Sequence, residues 1–321
     1  MTKGERVRAA LAGRPVDRVP ISFWRHFPDL DLNPAALAEA LLAFHRRYDL
    51  DFMKVWGCET AYQGGSTGAR TCVRHAVQRI EDWSRLRPLD PAARALAREL
   101  SCLRAICARR EDDAPVLQTI FSPFTVARKV AGPALVQETM ARDPARLHAA
   151  LDAIGATVEA YVRACLEAGA DGIFFATQAA TPEVLSPEEH RTFVEPSDLR
   201  VLRATTGSEA IVLLHLHGDL PYLTDLAATY PAQALNWHDR RTRPSLGEAM
   251  GQVSQALVGG LDERGSMITA SPEAVRAQVH DAVAQCGGRR LLAGPGCVVD
   301  LRVPEANLTA ARQAVEDLPR P

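Results

Sequence analysis

Two histidines and one cysteine have the residue types and the spacing of zinc ligands. His215 and His217 stand two apart at the end of the apolar run 211–216, and alternate residues of a strand face the same side. Cys297 follows Gly-Pro-Gly at the end of another apolar run. Two imidazoles and one thiolate are typical of a catalytic zinc site with one open position, where zinc lowers the pKa of a bound thiol or water. Taken alone, each motif also fits buried core residues.

Further ionisable residues follow two other apolar runs. His238 lies in the motif Asn-Trp-His-Asp and could be a proton shuttle, a substrate contact or a further metal ligand. It could equally be a strand-end histidine paired with Asp239. Asp262 and Glu263 follow the run 256–261, where acids either cap a helix and hold loops or contact a substrate.

Short apolar segments alternate with longer amphipathic segments along the whole chain. Several of the short segments are nearly continuous apolar runs, as in parallel strands buried on both faces. This alternation predicts an α/β fold, a single-domain (β/α)8 TIM barrel over residues 1–321, with an open doubly wound sheet as the alternative. All strands of a barrel end on one rim, so the ionisable residues above should meet there. The predicted strands are residues 19–24, 52–56, 116–121, 172–177, 211–216, 234–237, 256–261 and 290–294.

Helix start signals separate these strands. Asn-Pro at 33 and Asp-Pro at 143 predict helices over 33–48 and 143–167. Ser-Pro-Glu at 186 and at 271 predicts two more, with acids in the first turn. Residues 57–74, rich in Gly, Thr and Ser, predict a long loop that forms a lid or a pocket wall.

Composition and charge argue against several classes of protein. The 321 residues include 37 basic and 39 acidic side chains, so no excess of positive charge attracts nucleic acid or an anionic membrane. Neither a signal peptide nor an apolar run long enough to cross a bilayer is expected. The seven cysteines form no CxxC pair, and Cys102, Cys107 and Cys165 fit helical core positions. We therefore expect a cytoplasmic protein without disulfides that binds a small-molecule substrate and no nucleotide cofactor; the oligomeric state stays open.

Several motifs together resemble the uroporphyrinogen decarboxylase superfamily. That group includes the decarboxylases of haem biosynthesis and zinc methyltransferases that act with corrinoid proteins. The resemblance covers nearly the whole chain and is carried by residues 6–18, 20–25, 259–262, 294–297 and 303–307. It implies the TIM barrel.

The decarboxylase pattern is only partly present. Arg25 matches the first of two arginines that hold substrate carboxylates in the decarboxylases, but Asp29 stands at the second. Trp56 falls where the decarboxylases place an aspartate that grips pyrrole NH groups, and Pro295 replaces a histidine. The resemblance therefore implies a substrate other than uroporphyrinogen.

The methyltransferase branch matches better at the metal-site motif. His215 and Cys297 match two of its ligand positions, and His217 replaces a cysteine. The resemblance implies a zinc-dependent methyltransferase-like enzyme that transfers a methyl or similar small group, with a corrinoid possible through a partner protein. Because imidazole replaces a thiolate, the centre is less electron-rich and a bound thiolate is less nucleophilic.

The same resemblance suggests roles for other residues. Arg25 would orient an anionic substrate group, and His238 would act as an acid/base or as the partner of a ligand. Trp24, Trp56 and Gln178 would line the substrate pocket. Two alternatives remain: a decarboxylase or other lyase with Arg25 as carboxylate anchor, and a non-catalytic barrel that binds a tetrapyrrole or corrinoid. The metal content of the protein distinguishes a decarboxylase from a zinc-dependent methyltransferase, because the decarboxylases need no metal.

Overall fold

The chain forms a parallel α/β fold around one seven-stranded sheet whose strands follow chain order. The computed structural model describes residues 1–56, 75–92 and 94–318. The predicted loop 57–74 lies outside the described residues. The strands are β1 (Met53–Val55), β2 (Val116–Phe121), β3 (Gly172–Thr177), β4 (Ile211–Leu216), β5 (Ala234–Asn236), β6 (Ala256–Leu261) and β7 (Leu291–Pro295).

Every neighbouring pair in this sheet is parallel. β2 to β7 are buried along their whole length. Their side chains pack on both faces of the sheet, which explains why these segments are apolar without alternation. Seven of the predicted strands are confirmed, four of them with the same ends and three with ends that differ by one residue.

The predicted first strand forms a single bridge instead of a strand. Ile21 is bridged to Ala293 of β7, where Ser22 N–H donates to the Ala293 carbonyl (3.0 Å) and Ala293 N–H to the Pro20 carbonyl (2.8 Å). On the other side, Asp51 N–H donates to the Ile21 carbonyl (2.9 Å) just before β1. The segment thus contacts both edges of the sheet. Because Pro20 has no N–H to extend the ladder, the described sheet has seven strands and not the predicted eight.

Helices connect the strands, and their starts agree with the sequence signals. Asn33 and Asp143 accept hydrogen bonds from backbone N–H groups of the first helical turn, as N-caps do. The described part of the chain contains no helix long and apolar enough to cross a membrane. The α-helices are α1 (Lys3–Leu11), α2 (Pro34–Tyr48), α3 (Arg94–Arg109), α4 (Pro123–Ala131), α5 (Pro133–Arg142), α6 (Pro144–Glu167), α7 (Pro187–Phe193), α8 (Glu195–Leu202), α9 (Leu223–Thr229), α10 (Leu246–Met250), α11 (Ser266–Thr269), α12 (Pro272–Cys286) and α13 (Glu305–Ala314), with 3-10 helices at Ile80–Arg85 and Arg203–Thr205.

Buried Asp51 joins α1 to the bridging segment. Its carboxylate accepts hydrogen bonds from Arg6 (2.7 Å), from Arg18 (2.6 Å) and from the backbone N–H of Ile21 (2.8 Å). Removing one partner of such a buried pair costs about 3–5 kcal/mol, because an uncompensated charge remains. Asp51 precedes β1, so this network stabilises the end of the sheet opposite the predicted site.

Candidate metal centre

Three predicted ligand residues converge where β4 and β7 end. His215 lies in β4, His217 follows two residues later, and Cys297 comes two residues after β7. Cys297 Sγ is 3.7 Å from His215 Nε2 and 3.8 Å from His217 Nδ1. One ligand atom from each residue lies within 4.8 Å of the other two. The spacing in the sequence thus corresponds to a group of three donors in the fold.

Asn236, the last residue of β5, fixes the ring of His215. The two residues are register partners in neighbouring strands. Asn236 Nδ2 donates to the carbonyls of Val258 (2.8 Å) and Pro295 (3.0 Å), so its Oδ1 must face His215 Nδ1, 2.6 Å away. Nδ1 of His215 therefore carries the hydrogen, and Nε2 keeps its lone pair on the side of Cys297. Metal-binding histidines are typically held in this way.

His238, two residues after the end of β5, contacts the group. Its Nδ1 is 2.8 Å from Glu263 Oε1, and its Nε2 is 3.4 Å from His217 Nδ1. Glu263 is only 1% exposed. The alternative pairing with Asp239 is not observed, because that carboxylate accepts a backbone N–H of β6. Asp262 accepts the backbone N–H groups of Gly265 and of Ser266, the first residue of α11. Of the two acids after β6, only Glu263 therefore belongs to the site.

Burial sets the protonation of the three donors. Burial, with the neighbouring histidines, lowers the pKa of His215 well below its usual value and that of His217 to about 4. Burial raises the pKa of the Cys297 thiol. At neutral pH both imidazoles are therefore uncharged and keep a lone pair, while the cysteine keeps its proton until a cation replaces it.

The donor set and its spacing fit a zinc ion. Zinc bond lengths of about 2.0–2.1 Å to nitrogen and about 2.3 Å to sulfur give tetrahedral N–S edges of about 3.6 Å. The two observed N–S separations, 3.7 and 3.8 Å, are within a few tenths of an ångström of that edge. His215, His217 and Cys297 would hold the ion with little movement of the backbone.

A cavity of about 490 Å³ opens onto the three donors. Aromatic rings form much of its wall, including Phe121 and Phe174. Six of the residues named from the sequence line it: Trp24, Trp56, Gln178, His215, His217 and Cys297. The predicted pocket residues and the predicted ligands therefore share one cavity.

Lys54 of β1 supplies positive charge to this cavity. Its Nζ lies 4.9 Å from the ring centroid of Phe174 and 5.6 Å from that of Trp56, both cation–π distances. Arg264 also lines the cavity. Asp300, the one acid among the described lining residues, pairs with a neighbouring arginine at 2.9 Å. The cavity is therefore suited to an anionic group.

Arg25 lies apart from these cations. It is absent from the described lining residues, although Trp24 and His26 on either side are present. Its guanidinium carbon lies 5.3 Å from the ring centroid of Phe27. Successive residues of an extended segment face opposite sides, which explains why Trp24 and His26 line the cavity and Arg25 does not. The role of Arg25 as substrate anchor stays a prediction, and the cavity offers Lys54 and Arg264 as other cations.

Gly296 brings the turn after β7 against the end of β5. A Cβ atom at this position would lie 2.8 Å from the Cα of His238 and 2.8 Å from the carbonyl oxygen of Trp237. Real contacts of that length do not occur, so any side chain would displace the turn and Cys297 with it. These close contacts explain why a glycine precedes Cys297.

Sequence reasoning gave no role to Asn236, Phe174 or His26. Asn236 carried one signal, because it is a polar residue at the end of an otherwise apolar strand. Its position beside His215 follows only from the register of β4 and β5. Phe174 and His26 carried no signal, because aromatic and strand-end residues of this kind are common in cores.

The fold and the site together define an α/β enzyme architecture with a candidate metal centre at the strand ends. The family model for uroporphyrinogen decarboxylase matches residues 2–318. The chain belongs to this family.

Relatives of two kinds match almost the whole chain, and both kinds are enzymes. The methylcobamide:CoM methyltransferase MtaA of Methanosarcina barkeri strain Fusaro is 22% identical over 327 residues, covering 95% of each chain. The uroporphyrinogen decarboxylase of Chromohalobacter salexigens is 28% identical over 337 residues, covering 93% of this chain and 91% of its own. Among solved structures, a methyltransferase from Methanosarcina mazei superposes with a TM-score of 0.85 at 22% identity, covering 99% of both chains. The chain shares the fold of that structure.

Proposed function

We propose that the protein is a zinc-dependent methyltransferase that transfers a methyl or similar small group to an anionic acceptor, with a corrinoid protein as the partner. The observation that carries the proposal is the group formed by His215, His217 and Cys297, whose ligand atoms lie within 4.8 Å of one another beside a cavity. Relatives named as methylcobamide:CoM methyltransferases support the reaction class and the corrinoid. The bridge between Ile21 and Ala293 supports a closed barrel in which the segment around Ile21 takes the place of the first of eight strands.

Some residues of the chain would bind the ion, and others would position the acceptor. A zinc ion at His215, His217 and Cys297 would act as a Lewis acid that lowers the pKa of the acceptor. Asn236 keeps the Nε2 lone pair of His215 directed at that position. Lys54 would pair with the anionic group of the acceptor, and the aromatic wall would exclude water from the reacting atoms.

The decarboxylase alternative has a specific observation in its favour, the 28% identical relative. The cavity argues against uroporphyrinogen itself, because its described lining offers few cations, mainly Lys54 and Arg264, for a substrate with many carboxylates. A smaller carboxylated substrate would fit the same cations, and catalysis would then proceed without metal. A non-catalytic corrinoid-binding barrel would show a spectroscopic shift with cobalamin and no turnover.

Metal analysis of the purified protein tests the proposal directly. We expect about one zinc per chain, lost from Cys297→Ser and from His215→Ala. Cys107→Ser is the matched control, because this half-buried cysteine of α3 lies outside the three-donor group. Methyl transfer from methylcobalamin to a small anionic thiol should follow metal content across the variants. Wild-type protein that stays free of zinc when supplied with it, or full activity without metal, would contradict the proposal.

A further inference from the structure

We infer that His238 is a fourth ligand of the metal centre and that Glu263 is the residue that positions it. The inference rests on the proposed zinc site and deepens it. It concerns two buried side chains, 5% and 1% exposed, that lie two residues after the ends of β5 and β6. Both converge on the same group of donors.

The separation of the two neighbouring imidazoles supports coordination. Zinc–nitrogen bonds of about 2.0–2.1 Å give a tetrahedral N–N edge of about 3.3 Å. His238 Nε2 lies 3.4 Å from His217 Nδ1. With the two N–S separations to Cys297, three edges of a four-donor site are thus present at nearly the required length.

The hydrogen bond to Glu263 leaves the correct nitrogen free. A carboxylate accepts hydrogen bonds, so His238 Nδ1, 2.8 Å from Glu263 Oε1, carries the hydrogen. Nε2 then has its lone pair on the side of His217. Metal-binding histidines typically donate their second ring N–H to a carboxylate or a carbonyl. Asn236 does this for His215, and Glu263 does it for His238.

The charges also favour this arrangement. A zinc ion bound by Cys297 and neutral imidazoles retains a net charge of about +1, and a buried ion of that charge needs compensation. The Glu263 carboxylate supplies it one ring away. A second thiolate is thereby unnecessary, because His217 replaces the ligand and the Glu263 carboxylate replaces the negative charge that a cysteine would bring.

His238 lies beside the group of three donors and not within it. The ligand atoms within 4.8 Å of one another belong to His215, His217 and Cys297, and the same three residues, without His238, line the cavity. The His238 ring must therefore move towards the other donors when it binds the ion. The cavity side of the three donors stays open to an acceptor when His238 binds, and zinc sites can expand to five ligands.

X-ray absorption of the zinc-loaded wild-type protein counts the ligands. We expect three imidazoles and one sulfur. His238→Ala and His238→Gln should each give two imidazoles, one sulfur and a light oxygen donor. Chelator competition should show zinc binding about 100-fold weaker in both variants and about 10-fold weaker in Glu263→Gln, in the range known for lost ligand partners. His280→Gln, a histidine of α12 that contacts only the Ala314 carbonyl among its described hydrogen bonds, should bind zinc like wild type.

The outcomes separate this inference from the function on which it rests. Two imidazoles and one sulfur in wild type, with unchanged affinity in His238→Ala, would overturn the inference and leave the three-ligand site intact. Wild-type protein that binds no zinc would overturn both. The count in wild type does not depend on whether a variant folds, so a loss of folding in His238→Ala leaves the test valid.

Discussion

Asn236 offers a sharp test of the site, because Asn307, elsewhere in the fold, is also buried and also donates to two backbone carbonyls. Asn236→Ala removes the acceptor of His215 Nδ1–H and the donor to two buried carbonyls. Asn307, also buried, donates to the carbonyls of Met267 (2.9 Å) and Ala270 (3.0 Å) and has no contact with the candidate ligands among the described residues. The two substitutions leave the same number of carbonyls unpaired, and only one of them touches the metal site.

The expected magnitudes differ accordingly. Each buried carbonyl left unpaired costs about 1–3 kcal/mol, so Asn307→Ala should lose about 2–6 kcal/mol in free energy of unfolding. Asn236→Ala should lose at least as much, because His215 Nδ1–H also loses its acceptor. Without Asn236 the ring of His215 can rotate or change tautomer. Loss of such a partner weakens metal binding about 10–100-fold, which is about 1.4–2.8 kcal/mol. Asn307→Ala should leave metal affinity within about twofold, since its contacts lie elsewhere.

Urea unfolding of the metal-free proteins and chelator competition for zinc measure the two quantities separately. We expect Asn236→Ala to lower both stability and zinc affinity, and Asn307→Ala to lower stability alone. Equal losses of affinity in both variants would mean that general destabilisation explains the effect. Unchanged affinity in Asn236→Ala would refute the role of the amide in fixing His215.

Three further outcomes are expected. Cys297 should resist alkylation in zinc-loaded protein and react after chelation. Because burial raises the pKa of its thiol, the alkylation rate of the metal-free protein should rise only above the pH range of ordinary thiols. Mass spectrometry of labelled peptides would reveal any alkylation of Cys297 in the zinc-loaded protein. Burial raises the pKa of Asp198 from 3.8 to about 7, so its contribution to stability is fully present below about pH 4 and is lost as the pH rises to about 7. Asp198→Asn, which keeps an acceptor for the Tyr230 hydroxyl, should flatten the unfolding free energy across that window, and an unchanged slope would count against it. Uroporphyrinogen should not be decarboxylated at ordinary enzyme concentrations, because each poorly paired buried carboxylate costs several kcal/mol; product chromatography would show otherwise.

The strands of the sheet could be predicted because their burial on both faces leaves a strong pattern. Runs such as 172–177 and 211–216 are almost entirely apolar, and their bounds in the structure are the same as predicted. The segment 19–24 has the same pattern but forms one bridge, since a proline lies where a strand would need a donor. Pro20 is visible in the sequence, but its effect depends on the register with β7, which only the structure shows.

The site was predictable where spacing within one strand decides the geometry. His215 and His217 are on one strand, so their common side follows from the pleat. The role of Arg25 as substrate anchor stays a prediction, because side chains alternate along its extended segment and Arg25 is not among the described residues that line the cavity. The choice between Asp262 and Glu263 required the loop conformation, which places one acid against backbone N–H groups and the other against His238. Such choices depend on contacts between distant segments, which the local sequence does not encode.

The bridge between Ile21 and Ala293 also constrains the order in which parts of the chain can fold. The two residues are more than 270 positions apart, so they form a contact of very high sequence separation. During synthesis the N-terminal segment emerges first, and its partner in β7 appears only when the chain is nearly finished. Until then the free edges of β1 and of the growing sheet offer unpaired N–H and C=O groups to other chains. Assembly should therefore be slow in its last step, since loop-closure entropy opposes so distant a contact until the remaining strands are in place.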